Sequence, residues 1–170
     1  MSRLRRRCER RLDNIRIPKP FDLDVFCAVV SAHRGRPLTL HPMPGLSAGA
    51  PCGLWFAVPT ADYVFYDPDT SQLHAEHIVL HELSHMLSGH ASALSAGAGL
   101  SDEALHRLAP DIDPRTIGTM LGRAGYSTAQ EREAETLASL IRARSTVGRP
   151  AGARPGDTLS RVADVLKFRS

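Results

Sequence analysis

The stretch from Gln72 to Ser88 constrains this chain more than any other. Val79, Leu83, Met86 and Leu87 recur at spacings of three and four, the pattern of a helix with one apolar face. Asp67 to Ser71 supplies a turn and a cap before it, and Gly89 is placed to stop it. Within this helix the chain reads His81-Glu82-Leu83-Ser84-His85. Residues four apart on a helix stand one above the other, with Cβ atoms about 5–6 Å apart. Two imidazoles so placed can converge on one metal ion, at a Zn–N distance of about 2.0–2.1 Å. Glu82 follows about 100° further round, so its carboxylate can touch a zinc-bound water without ligating the zinc. Zinc lowers that water's pKa from about 15.7 towards about 7, and the carboxylate takes the proton as the water attacks a carbonyl. HExxH is the zincin motif.

The segments around it predict a small α+β fold. Leu4, Cys8 and Leu12 lie on one face of a helix over residues 3 to 13, which Pro18 and Pro20 end. A second helix begins at an Asp22 cap, carries Leu23, Phe26, Cys27 and Val30 on one side, and ends at Gly35. Leu38 to Leu40 is a short strand. Gly53–Val58 and Tyr63–Tyr66 are rich in strand formers and pair as an antiparallel hairpin directly before the HExxH helix. Short helices are expected over 101–108 and 114–121. Ser127 to Gln130 has the form of a capping box, opening a helix to about Arg144. The expected organisation is one domain over 1–144, whose first 19 residues form an Arg-rich helical arm. A Gly/Pro linker and a short terminal helix fill 145–170.

Composition narrows the function. A chain of 170 residues that is 42% hydrophobic can bury a core. No apolar run approaches the roughly 20 residues of a membrane helix, and no leader is visible, so the expected setting is the cytoplasm. Cys8, Cys27 and Cys52 are too few and too widely spaced for a disulfide framework or a zinc knuckle. Nineteen of the 21 basic residues are Arg, six of them between Arg3 and Arg11. A net charge of +3 sets no groove geometry, so a solvated helix face is preferred to nucleic-acid binding.

A catalytic zinc needs a third protein ligand and an open position. His90 misses the HExxHxxGxxH place by one residue and, on a continued helix, falls opposite His81; it is rejected. His77 and His81 are also four apart, but Ile78 stands where the base would be, and His74 and His77 are assigned to the surface. The remaining source is Glu131-Arg132-Glu133-Ala134-Glu135-Thr136-Leu137-Ala138. Glu131, Ala134, Glu135 and Ala138 share a face about 100° wide, where two alanines allow close helix approach. One acid can ligate and the next brace a histidine. Glu133 points elsewhere on the wheel, although spacing leaves Glu131 and Glu133 both open as ligands.

With these two segments the chain resembles the ImmA/IrrE family of zinc metallopeptidases, whose HExxH helix is followed by a later E-x-x-A-[N/D/E]-x-[F/L]-A helix. It is also similar to bacterial toxin components of toxin–antitoxin pairs. The resemblance spans about residues 20–144. It implies a zincin-like, gluzincin-like fold in which His81, His85 and Glu131 bind Zn2+, Glu82 is the general base and Glu135 supports a ligand from behind. It implies an endopeptidase acting on a regulatory protein such as a helix-turn-helix repressor or an antitoxin. The family often has Asn or Asp where Glu135 stands, and a Leu-Met-Pro ending where this chain has Ser139-Leu140-Ile141-Arg142. Substrate backbone could add to an edge of the hairpin. The chemistry also needs an oxyanion partner, for which Tyr126, Tyr66, His106 and Arg132 are candidates. The competing expectations are a non-catalytic zinc-stabilised module binding a repressor or nucleic acid, and hydrolysis of a non-peptide amide or ester.

Overall fold

The computed structural model describes residues 2–46, 53–57, 60–90 and 126–146. They form four helices and one three-stranded mixed sheet, an α+β architecture. The helices are α1 (Arg3–Arg11), α2 (Leu23–Arg34), α3 (Gln72–Ser88) and α4 (Thr128–Thr146), and the strands are β1 (Leu38–Pro42), β2 (Gly53–Ala57) and β3 (Asp62–Tyr66). The expected helices over 101–108 and 114–121, Cys52, His106 and the segment beyond 146 lie outside the described residues.

Local chemistry sets the helix ends. Ser2, Asp22 and Ser71 cap α1, α2 and α3, each accepting a backbone N–H with its side chain, a contact worth about 1 kcal/mol. Gly35 and Gly89 end α2 and α3 in the left-handed region, at φ 68° and 69°, where a Cβ would be strained. At α4 the capping box is reciprocal: Gln130 N–H donates to Ser127 Oγ, and Ser127 N–H donates to Gln130 Oε1.

The sheet order is β1-β3-β2. The predicted hairpin is present as β2 antiparallel to β3, with Trp55 opposite Val64 and Leu54 opposite Phe65. β1 runs parallel to β3 on its other side, with Leu40 opposite Val64. Asp62, fully buried at the start of β3, ties this sheet to the helices. It accepts from Arg34 at 2.6 and 3.1 Å and from the Trp55 indole at 2.9 Å.

One face of α3 packs on the sheet and another on α4. Val79, Leu80, Leu83, Met86, Leu137, Ala138 and Ile141 meet in the core with Trp55 and Val64. Ala134 and Ala138 are both fully buried. α1 is drawn into the same core through Cys8 and Leu12, with Leu4 packed at its margin. Beside that face, α1 reaches the C-terminal end of α3, where Arg11 Nη1 donates to the Leu87 carbonyl at 3.1 Å. The arm is therefore a packed helix whose Leu4–Cys8–Leu12 face is the one the spacing indicates.

Candidate metal centre

His81 and His85 project from adjacent turns of α3 towards Glu131 in the first turn of α4. His81 Nε2 lies 3.1 Å from Glu131 Oε2 and 3.0 Å from His85 Nε2, and His85 Nε2 lies 3.7 Å from the same carboxylate oxygen. These three residues offer donor atoms within 4.8 Å of one another, a group that can hold a metal ion. The two helices are 50 residues apart in sequence at this contact and meet because Ala134 and Ala138 leave no side-chain bulk between them.

Glu82 lies beside this trio, buried against β2. Gly53 makes that approach feasible, since a Cβ there would collide with the Ile78 side chain and stand 3.1 Å from Glu82 Oε1. The Trp55 backbone N–H donates to the Glu82 carboxylate, but burial, followed by the neighbouring charge of Glu131, pushes its pKa up to about 8. Its Oε2 has no hydrogen-bond partner among the described residues, and neither has the buried hydroxyl of Tyr126. The Tyr126 ring stacks on His85, with centroids 3.5 Å apart and 22° between planes. Burial, then Glu82 and Glu131, raise the affinity of that hydroxyl for its proton. His85 is fully buried, and burial with the adjacent His81 and His90 lowers its pKa to about 3, which keeps the imidazole neutral and suited to ligation.

Behind the donors stand further polar groups. Glu135 Oε2 lies 3.4 Å from His81 Nδ1 and 3.2 Å from His77 Nε2, so His77, assigned above to the surface, stands at the margin of the centre. Glu133 turns away from the trio, as its wheel position indicates, but it is buried instead of solvated. It is held by Arg7 at 2.6 Å and Arg11 at 3.2 Å. Of the other oxyanion candidates, Tyr66 packs against the core and Arg132 is exposed on α4.

His90 is the residue that sequence reasoning missed. It is no member of the trio, but its Nδ1 lies 2.9 Å from His85 Nδ1. The wheel placed it opposite His81 by continuing the helix past residue 89. Gly89, in its left-handed conformation, instead folds the chain back, and His90 N–H donates to the His85 carbonyl at 3.2 Å. The signal was present in Gly89 itself, since a helix stop forbids helical arithmetic beyond it.

No protein-family model matches this chain, and no curated protein or solved structure matches it either. Among the described residues, no helix is long and apolar enough to cross a membrane.

Proposed function

We propose that this chain is a zinc-dependent endopeptidase of zincin-like, ImmA/IrrE-like type, hydrolysing a peptide bond in a regulatory protein partner such as a repressor or antitoxin. One observation carries the reading: a two-imidazole, one-carboxylate triangle lies beside a buried acid, Glu82, one of whose oxygens has no partner among the described residues. Donors at about 2.0–2.1 Å from a tetrahedral ion stand about 3.3–3.4 Å from each other. The observed separations of 3.0, 3.1 and 3.7 Å bracket that value. Two histidines and a glutamate are a donor set that zinc accepts in hydrolytic sites, leaving a fourth position for substrate or water. The residues present therefore fit zinc.

Zinc held by His81, His85 and Glu131 would supply Lewis-acid polarisation of a carbonyl and would acidify water. Burial and Glu131 favour the proton on Glu82, and the positive charge of a bound cation would offset both and hold the carboxylate ionised. Its Oε2, free of other partners among the described residues, would then take the proton of the attacking water and pass it to the leaving amine. The Trp55 N–H fixes the carboxylate for that transfer. Tyr126 keeps its proton and can donate it in a hydrogen bond to the carbonyl oxygen as negative charge develops there.

The test uses purified full chain, loaded with zinc, on a library of proteome-derived peptides, with new termini read by mass spectrometry. One equivalent of bound zinc and a defined set of cleavages are expected. Glu82→Gln should keep the metal and lower cleavage by about 10²–10⁴-fold. Zinc binding without cleavage would replace the peptidase reading with that of a zinc-stabilised binding module.

A further inference from the structure

His85 is backed by a line of polar groups that runs to α1, and none of the chemistry above uses it. His85 Nδ1 faces His90 Nδ1 at 2.9 Å. His90 Nε2 lies 3.6 Å from Glu133 Oε2, within electrostatic reach. Glu133 is gripped from α1 by Arg7 at 2.6 Å and Arg11 at 3.2 Å.

Hydrogen-bond logic gives this line a direction. A neutral imidazole carries one N–H, so of two facing Nδ1 atoms one donates and the other accepts. Were His90 the donor, the single proton of His85 would sit on Nε2, the atom that faces His81 and Glu131, and would block it. The Glu133 carboxylate selects the other arrangement. It favours the His90 proton on Nε2, which leaves His90 Nδ1 bare to accept from His85 Nδ1–H. The lone pair of His85 Nε2 is then presented to the centre. His81 is set the same way by Glu135 beside its own Nδ1. With both protons held at the rear, three lone-pair atoms confront one another at 3.0–3.7 Å, an arrangement that a cation stabilises.

We propose that His90 and Glu133, held by Arg7 and Arg11 of α1, are positioning residues that fix His85 with its proton on Nδ1 and its Nε2 ready for metal. The proposal rests on the metal-centre reading above and is independent of whether the centre cleaves peptides. It makes the Arg-rich helix part of the metal site's outer support.

The experiment measures zinc affinity of the full chain by competition with a chromogenic chelator, the absorption bands of the cobalt-substituted protein, and the thermal midpoint without metal. His90→Phe keeps the ring volume and removes both nitrogens; it should weaken zinc binding by about 10–100-fold and shift the cobalt bands. His90→Asn, whose amide oxygen can accept from His85 Nδ1–H, should recover affinity to within about threefold of wild type. The double variant Arg7→Gln/Arg11→Gln, remote from the ion, should weaken binding by about 3–10-fold, and it carries the test if His90→Phe fails to fold. Affinities within twofold of wild type and an unchanged cobalt spectrum in these variants would overturn the proposal, as would equal losses in His90→Phe and His90→Asn. A wild-type chain that binds neither zinc nor cobalt overturns the metal centre itself, a different and recognisable result.

Discussion

His81 and His85 come from one helix, a single turn apart, yet they inhabit different surroundings. His81 is 23% exposed and leans on Glu131 and Glu135, which are 45% and 54% exposed. His85 is fully buried, stacked on Tyr126, with His90 and Glu133 behind it and two arginines of α1 beyond. One half of the centre is open to water and loosely supported; the other is part of the core. A metal site built this way couples to folding on one side only. Its exposed half is open to solvent, and its buried half is held by the packing of the core.

The largest effect that separates the halves is deletion of each imidazole. His85→Ala leaves a cavity under Tyr126 and takes the His85 partner from His90 Nδ1, and should lower the unfolding free energy of the metal-free protein by about 3 kcal/mol. His81→Ala should lower it by less than about 1 kcal/mol, because water replaces the lost contacts. Both should abolish tight zinc binding. Urea unfolding of the metal-free variants checks this, and equal losses would break the comparison.

Acidity offers the next test. The folded-state pKa of Glu82 is raised from 4.5 to about 8, so its favourable contribution is full below pH 4.5 and is lost as pH rises through 8. For His85, lowered from 6.5 to about 3, the contribution is full above pH 6.5 and is lost as pH falls through 3. Without metal, the thermal midpoint should therefore drop between pH 6.5 and 8 by on the order of 5 °C. Glu82→Gln should abolish that alkaline fall and keep the acid one. A fall that persists in Glu82→Gln would assign it to another group.

How much of this was legible in the sequence divides along the same line. Motifs that depend on local spacing appear where expected: His81 and His85 on one helix face, the Asp22, Ser71 and Ser127 caps, the stops at Gly35 and Gly89, and the strand pair before α3. Glu131 reaches the histidines through an alanine face that periodicity exposes. The buried half was not legible. Arg7 and Glu133 are 126 residues apart, and no helical period links an arginine of α1 to an acid of α4. Alone, each has the pattern of a solvated charge, and only the docking of Cys8 and Leu12 into the core brings them together. The parallel pairing of β1 with β3 was hidden for the same reason, since strand order is decided by tertiary packing and not by alternation.

A smaller contrast lies between the two supporting acids. Glu133 is 5% exposed, and its two arginine partners are 51% and 32% exposed. Removing its charge leaves those guanidinium groups able to turn towards water. Glu133→Gln should therefore destabilise by about 1–2 kcal/mol, well short of the 3–5 kcal/mol typical of breaking a fully buried pair. Chemical denaturation of the metal-free protein measures it.

The smallest expected effect sharpens the comparison most, because it asks whether support needs burial at all. Glu135 is over half exposed, and its polar contacts among the described residues are imidazole nitrogens, His81 Nδ1 at 3.4 Å and His77 Nε2 at 3.2 Å. Exposed pairs of this kind contribute about 0–1 kcal/mol, so Glu135→Gln should leave the unfolding curve of the metal-free chain almost unmoved. Zinc affinity should fall as well, but by less than about tenfold, since the glutamine oxygen or a water can still accept the His81 Nδ1–H. A larger loss of affinity at unchanged stability would show that the carboxylate charge itself, and not only a hydrogen-bond acceptor, strengthens the exposed ligand. The open half of the centre would then be electrostatically as demanding as the buried one.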